Sequence, residues 1–142
     1  MFTASSPLAM IHFVIVCIWL GLVLAETVIE FHDWKRGDSL VTAQLHFWID
    51  TCFEIPIVIT VLVTGIFLSI RTWPLSHLMM FKIFLGLSTI AINFYCWAMV
   101  VARYRNPQGP QSDKLTKGIR WTWLGLPIGL GALLIGLDHM FH

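Results

Sequence analysis

Charge is what this chain has least of. Asp, Glu, Lys and Arg make up only 12% of its 142 residues, about half the roughly 25% of a soluble domain. Too few ionic groups are present to cover an ordinary water-exposed surface. Cysteine is scarce as well. Cys17, Cys52 and Cys96 stand singly, with no C-x-x-C step, so neither a disulfide framework nor a zinc ribbon is indicated. They read as small buried hydrophobes, with thiolate ligation of a metal as the lesser alternative. A glycine-rich phosphate loop, a nucleophile elbow and an H-E-x-x-H helix are all missing, so soluble-type hydrolase chemistry has no support. There is no basic patch of the kind that binds nucleic acid.

What the chain has instead is apolar length. Hydrophobic residues make up 57% of it. They fall into four spans, about 8–29, 44–70, 75–102 and 120–141, each near the ~20 residues that cross a hydrocarbon core. The first span has no basic n-region and no A-x-A step after it, so it reads as a retained helix, not a cleaved signal. The expected fold is all-α: one integral membrane domain over 1–142, a four-helix transmembrane bundle. Lys35 and Arg36 follow the first span, and Arg103, Arg105, Lys114, Lys117 and Arg120 follow the third. The opposite side carries only Arg71, with Lys82 slightly inside. The positive-inside rule then puts both larger loops in the cytoplasm and both termini outside, in a membrane such as the bacterial inner membrane. Trp34, Trp48, Trp73, Trp121 and Trp123 lie near span ends, as an interfacial aromatic belt requires. Residues 105–114, RNPQGPQSDK, form a polar linker.

The spans repeat. Residues 12–22 read HFVIVCIWLGL and residues 77–87 read HLMMFKIFLGL. At a shift of 65, His12 meets His77 and Trp19 meets Phe84; at a shift of 71, Pro56 meets Pro127 and Gly65 meets Gly136. The chain is therefore two like helical hairpins, about 8–70 and 75–141. Pro56 and Pro127 each remove a backbone donor and should kink their helices. A two-fold relation would set His12 and His77 at equal depth, where facing histidines can grip a haem b iron or another transition metal. His139 and Lys82 lie toward the same outer side. His139 is a further candidate ligand, and Lys82 is a candidate to ligate or to pair with a haem propionate.

A second group lies toward the cytoplasmic side. Glu26 and Glu30 stand four apart on the first span, and His46, Asp50 and Glu54 stand four apart on the second. Such spacing puts each set on one helical face. Antiparallel packing brings Glu26 level with Asp50 and Glu30 level with His46, with Glu54 deeper, in reach of Asn93. Ionised carboxylates at membrane depth rarely face lipid. They bind a metal ion, share protons, or pair with basic residues such as Lys35, Arg36, Arg103 and Arg105. Carboxylates with imidazole suit Zn, Fe or Mn, and imidazole also suits Cu.

The first half also resembles a known family. His12, Trp19, Gly21-Leu22 and His32 are similar to the opening helix of the HemJ-type protoporphyrinogen oxidases. Trp73, His77 and Lys82 resemble that family's third helix, and Arg120, Trp121 and Pro127 its last. The wider likeness is to four-helix membrane domains that include the CopD-type copper-resistance proteins. The resemblance implies haem b, a role in haem synthesis, and key roles for His12 and Lys82. The HxxxDxxxE face of the second span is not part of it. Three functions stay open at this point. One is a haem b redox protein, an oxidoreductase or electron carrier passing electrons to quinone or a redox partner protein. The second is a metal-ion binding or transport protein with outer histidines and inner carboxylates at the two ends of its path. The third is a small structural subunit of a complex. A homo-oligomer or a place within a larger complex fits all three.

Overall fold

The computed structural model describes residues 6–36 and 39–141, with side chains at all of these except 33–36, 39 and 139–141. Among the described residues the chain is helical almost throughout and has no strand. Helix α1 covers Pro7–Arg36 and α2 covers Ser39–Ile49. A π-helical turn, Asp50–Glu54, joins α2 to α3, Ile55–Arg71. Helix α4 runs His77–Arg105, capped by Ser76, whose Oγ accepts from the Met79 amide at 3.2 Å. Helix α5, Ser112–Trp121, passes through a 3₁₀ turn, Thr122–Leu124, into α6, Gly125–Phe141. Among the described residues four stretches are long and apolar enough to span a membrane: Pro7–His32, Leu40–Arg71, His77–Arg105 and Ser112–Asp138. The expected four-helix bundle of two hairpins is the fold observed, and it is that of an integral membrane protein.

The helices extend further than hydropathy indicates. The 30–43 segment, expected as a loop, is mostly helical, because α1 continues to Arg36 and α2 begins at Ser39. The linker narrows to residues 106–111, since Ser112 already starts α5. Helix α5 is amphipathic and escapes a search for apolar runs. Its Leu115 and Ile119 pack on Met99 and Val100 of α4, while Lys114 and Lys117 stay exposed.

Both prolines follow irregular turns. Pro56 offers no N–H to the Cys52 carbonyl, and its ring crowds that oxygen. The turn before it widens, and the Ile55 amide reaches back to Asp50 O. A wide turn of this kind is the usual π-bulge, frequently found at functional sites. Trp97 of α4 ties it down, donating its Nε1–H to Thr51 Oγ1 at 3.2 Å. At the shift of 71, the 3₁₀ turn 122–124 falls on residues 51–53 of the π turn, so the repeat extends to its irregularities.

The bundle turns apolar groups outward and polar groups inward. Ile18, Val28, Phe53, Phe67, Phe84 and Leu134 are all exposed, as a lipid-facing surface requires. Cys17 and Cys52 share that surface, which corrects their reading as buried hydrophobes; only Cys96 turns partly inward. The buried positions include Glu26, Glu30, His46, Asp50, Glu54, Asn93 and Arg103. A small apolar layer of Trp19, Val58, Val61 and Ile90 lies beside them. Helix α6 packs closely at Gly129, where a Cβ would sit 2.8 Å from Leu20 Cδ2 and 3.2 Å from Thr89 Cγ2. Small residues give transmembrane helices this close approach. Gly129→Val should therefore cost about 1–3 kcal/mol by overpacking. Gly21→Val, at a site with nothing within 4 Å, should cost far less. Paired thermal melts in detergent would check this, and equal melting points would refute the close-packing account.

Candidate functional site

The acidic faces of the first two spans meet inside the bundle. Glu26 and Glu30 come from the C-terminal half of α1, His46 from α2, and Asp50 and Glu54 from the two ends of the π turn. All five are buried. The depth match expected from antiparallel packing is observed. His46 Nδ1 lies 2.6 Å from Glu30 Oε1, and one oxygen from each of Glu26, Asp50 and Glu54 lies within 4.8 Å of the others.

Glu30 stands apart from the other carboxylates. Both its oxygens take the Arg103 guanidinium, Nη1 donating to Oε2 at 3.1 Å and Nη2 to Oε1. With a carboxylate against Nδ1, the His46 ring donates its Nδ1–H to Glu30. This fixes the tautomer and turns Nε2 toward Asp50 Oδ1 at 3.3 Å and Glu26 Oε2 at 3.7 Å. An imidazole held from behind by a carboxylate is the usual support of a metal-binding histidine. Glu30 thus orients the candidate ligand and is not placed to act as one. Arg103, foreseen only as one of several basic partners, holds Glu30 in turn.

Glu54 Oε1 accepts from Trp19 Nε1 at 3.0 Å and from the Asn93 amide. Asn93 was within sequence reach of Glu54; Trp19 was not, because its apolar surroundings mark it only as core. Asp50 is 1% exposed, and no N–H or hydroxyl among the described residues donates to either of its oxygens, which lie instead within hydrogen-bonding reach of the Glu26 and Glu54 carboxyls; the 3.3 Å approach of His46 lacks hydrogen-bond geometry. Glu26 Oε1 likewise has no such donor among the described residues. Cys96 of α4 completes a second grouping, with ligand atoms of His46, Asp50 and Cys96 within 4.8 Å of one another. A small cavity of about 40 Å³ adjoins the cluster, lined in part by Glu26, His46, Glu54, Asn93, Cys96 and Arg120. That is room for an ion or a few waters.

Charge balance decides what the cluster can do. Arg103 and a protonated His46 offset at most two of the four carboxylates Glu26, Glu30, Asp50 and Glu54. Even with the Arg120 guanidinium at the cavity wall, the count stays short by one. Uncompensated charge is too costly in a low-dielectric interior. Protons or a bound cation must supply the difference.

The histidines expected on the outer side are arranged otherwise. His12 is half-buried, and its Nδ1 lies 2.7 Å from Thr64 Oγ1. The Thr64 hydroxyl donates to Thr60 O at 2.7 Å, so it accepts from His12 and leaves Nε2 with a free lone pair. His77 is the exposed first residue of α4 and does not line the cavity that holds His12. The expected His12/His77 pair is not formed. The cause is helix rotation: Trp19 is 3% exposed and its repeat partner Phe84 is 65% exposed, so repeat-related positions share depth but not facing. Lys82 lines the same cavity as His12. The His139 side chain lies outside the described residues.

Compared with known proteins, the chain matches no family model, no curated protein and no solved structure.

Proposed function

We propose that this is a membrane cation-handling protein whose binding centre is Asp50, with Glu26, Glu54 and His46 as its companions and Cys96 at its edge. The observation that carries the proposal is Asp50 itself: an almost fully enclosed carboxylate that no N–H or hydroxyl donor satisfies, pressed against two further carboxylates and an oriented imidazole. Mixed N, O and S donors favour a first-row transition ion, Zn, Mn, Fe or Cu, over Mg or Ca. The haem reading rested on paired histidines and keeps only His12. Elemental analysis of protein purified without chelator, followed by Zn²⁺ and Mn²⁺ titration, tests the proposal. About one divalent ion per chain is expected. A protein that binds neither ion at neutral pH, yet takes up protons at Asp50 or Glu54, would overturn metal binding in favour of a proton relay.

We further propose that both larger loops face the cytoplasm of a bacterial inner membrane, which puts the cation centre in its cytoplasmic half. With Cys17, Cys52 and Cys96 replaced by serine, a cysteine at position 3 should react with an impermeant maleimide in intact cells. One at position 109 should react only after permeabilisation. Labelling of both in intact cells would refute this orientation.

A further inference from the structure

A larger cavity occupies the outer half of the bundle. It measures about 390 Å³ and is walled by α1, α3, α4 and α6. That is within the range of small-molecule sites. Its walls are mainly apolar, among them Phe13, Val61, Leu62, Ile83, Ile90 and Leu133.

Its few polar groups restrict what it can hold. The hydroxyls of Ser69, Thr72 and Thr89 donate to the carbonyls of Gly65, Leu68 and Leu85 on their own helices. His12 spends its Nδ1–H on Thr64. The remaining donor at the wall is the Lys82 ammonium, which has no hydrogen-bond or ion-pair partner among the described residues. Its Nζ lies 2.8 Å from where a Cβ on Gly136 would sit, so the glycine makes room for the charged end. The occupant that best complements this wall presents an acceptor to Lys82, and an anionic one, because only an anion offsets the ammonium charge in an apolar setting. The rest of its surface must be apolar.

Depth sets the shape. Lys82 is five residues into α4, about 7.5 Å from the helix start, and Ile90 at the cavity's inner end is about 12 Å further by helical rise. The acceptor belongs near the outer interface and the apolar body reaches toward mid-membrane. We propose that this cavity binds a single-chain amphiphilic anion, a long-chain carboxylate, with its head group on Lys82 and its chain lying along Val61, Leu62 and Ile90 toward Trp19.

Native mass spectrometry of the protein in lipid nanodiscs tests this, with palmitate and palmitate methyl ester as probes. The wild type should retain palmitate at least ~10-fold better than the ester, since neutralising one buried charge is worth at least a tenfold preference. Lys82→Met, which keeps the apolar volume, should lose that preference, and Lys82→Arg should keep it. The arginine variant guards against a fold defect in the methionine one. Equal retention of acid and ester by the wild type would overturn the proposal, as would undiminished preference in a folded Lys82→Met protein. So would a Soret band in the purified protein that His12→Ala abolishes, since the cavity would then hold haem. Palmitate displaced by an anionic two-chain phospholipid of the nanodisc would keep the Lys82 contact but assign it to a membrane lipid head group, overturning the single-chain occupant.

Discussion

Replacing Arg103 with methionine should produce a large loss of stability, about 3–5 kcal/mol, the usual cost of stranding one partner of a buried ion pair. Arg103 is 2% exposed and Glu30 3%. The guanidinium holds both carboxylate oxygens, and the carboxylate in turn holds His46. Without Arg103, Glu30 keeps its burial and loses its principal counter-charge. Adding Glu30→Gln to the methionine variant should recover much of the loss, because removing both charges is far cheaper than removing one. Reversible unfolding in mixed micelles measures both variants. Equal losses in the single and double variants would show that packing of the arginine stem, not the ion pair, is what matters.

The second large effect is on metal affinity. Asp50→Asn keeps the shape of the side chain and removes its charge. Support residues behind a metal ligand typically contribute about 10–100-fold in affinity. Glu30→Gln, acting through His46, should fall in that range. Asp50→Asn should exceed it, to the point where elemental analysis finds only background metal. The wild type should also lose metal in acid, because binding requires deprotonated ligands. Stoichiometry on folded, monodisperse protein separates these outcomes, and full occupancy in Asp50→Asn would remove Asp50 from the ligand set.

The spans and the carboxylate–imidazole cluster are largely legible in the amino-acid order, for different reasons. Spans are written in apolar length, which the bilayer dictates residue by residue. The cluster is written in two i, i+4 ladders, and antiparallel packing alone brings Glu26 to Asp50 and Glu30 to His46. Three things are not legible. Pro56 announces a disturbance without saying that it takes a π form. The Trp19–Glu54 bond joins residues 35 apart, and nothing near Trp19 marks its indole as a donor to a buried carboxylate. His12 and His77 mislead because a sequence repeat records depth along a helix and not rotation about it. His12 faces inward beside Thr64, whereas His77 begins α4 in the open.

The π turn takes up one residue in the second span. An α-helix advances about 100° per residue and a π turn about 80°, so five residues in π form turn the chain about as far as four in α form. Deleting Thr51, Cys52 or Phe53 would leave the span apolar and long enough to cross the bilayer. The turn could then close as α-helix, with His46 and Asp50 in nearly their present facing toward Glu54, whereas deleting a residue between His46 and Asp50 would swing His46 about 100° toward lipid. The meeting of carboxylates and imidazole therefore depends on a count of residues as much as on their identities, and no hydropathy profile registers that count.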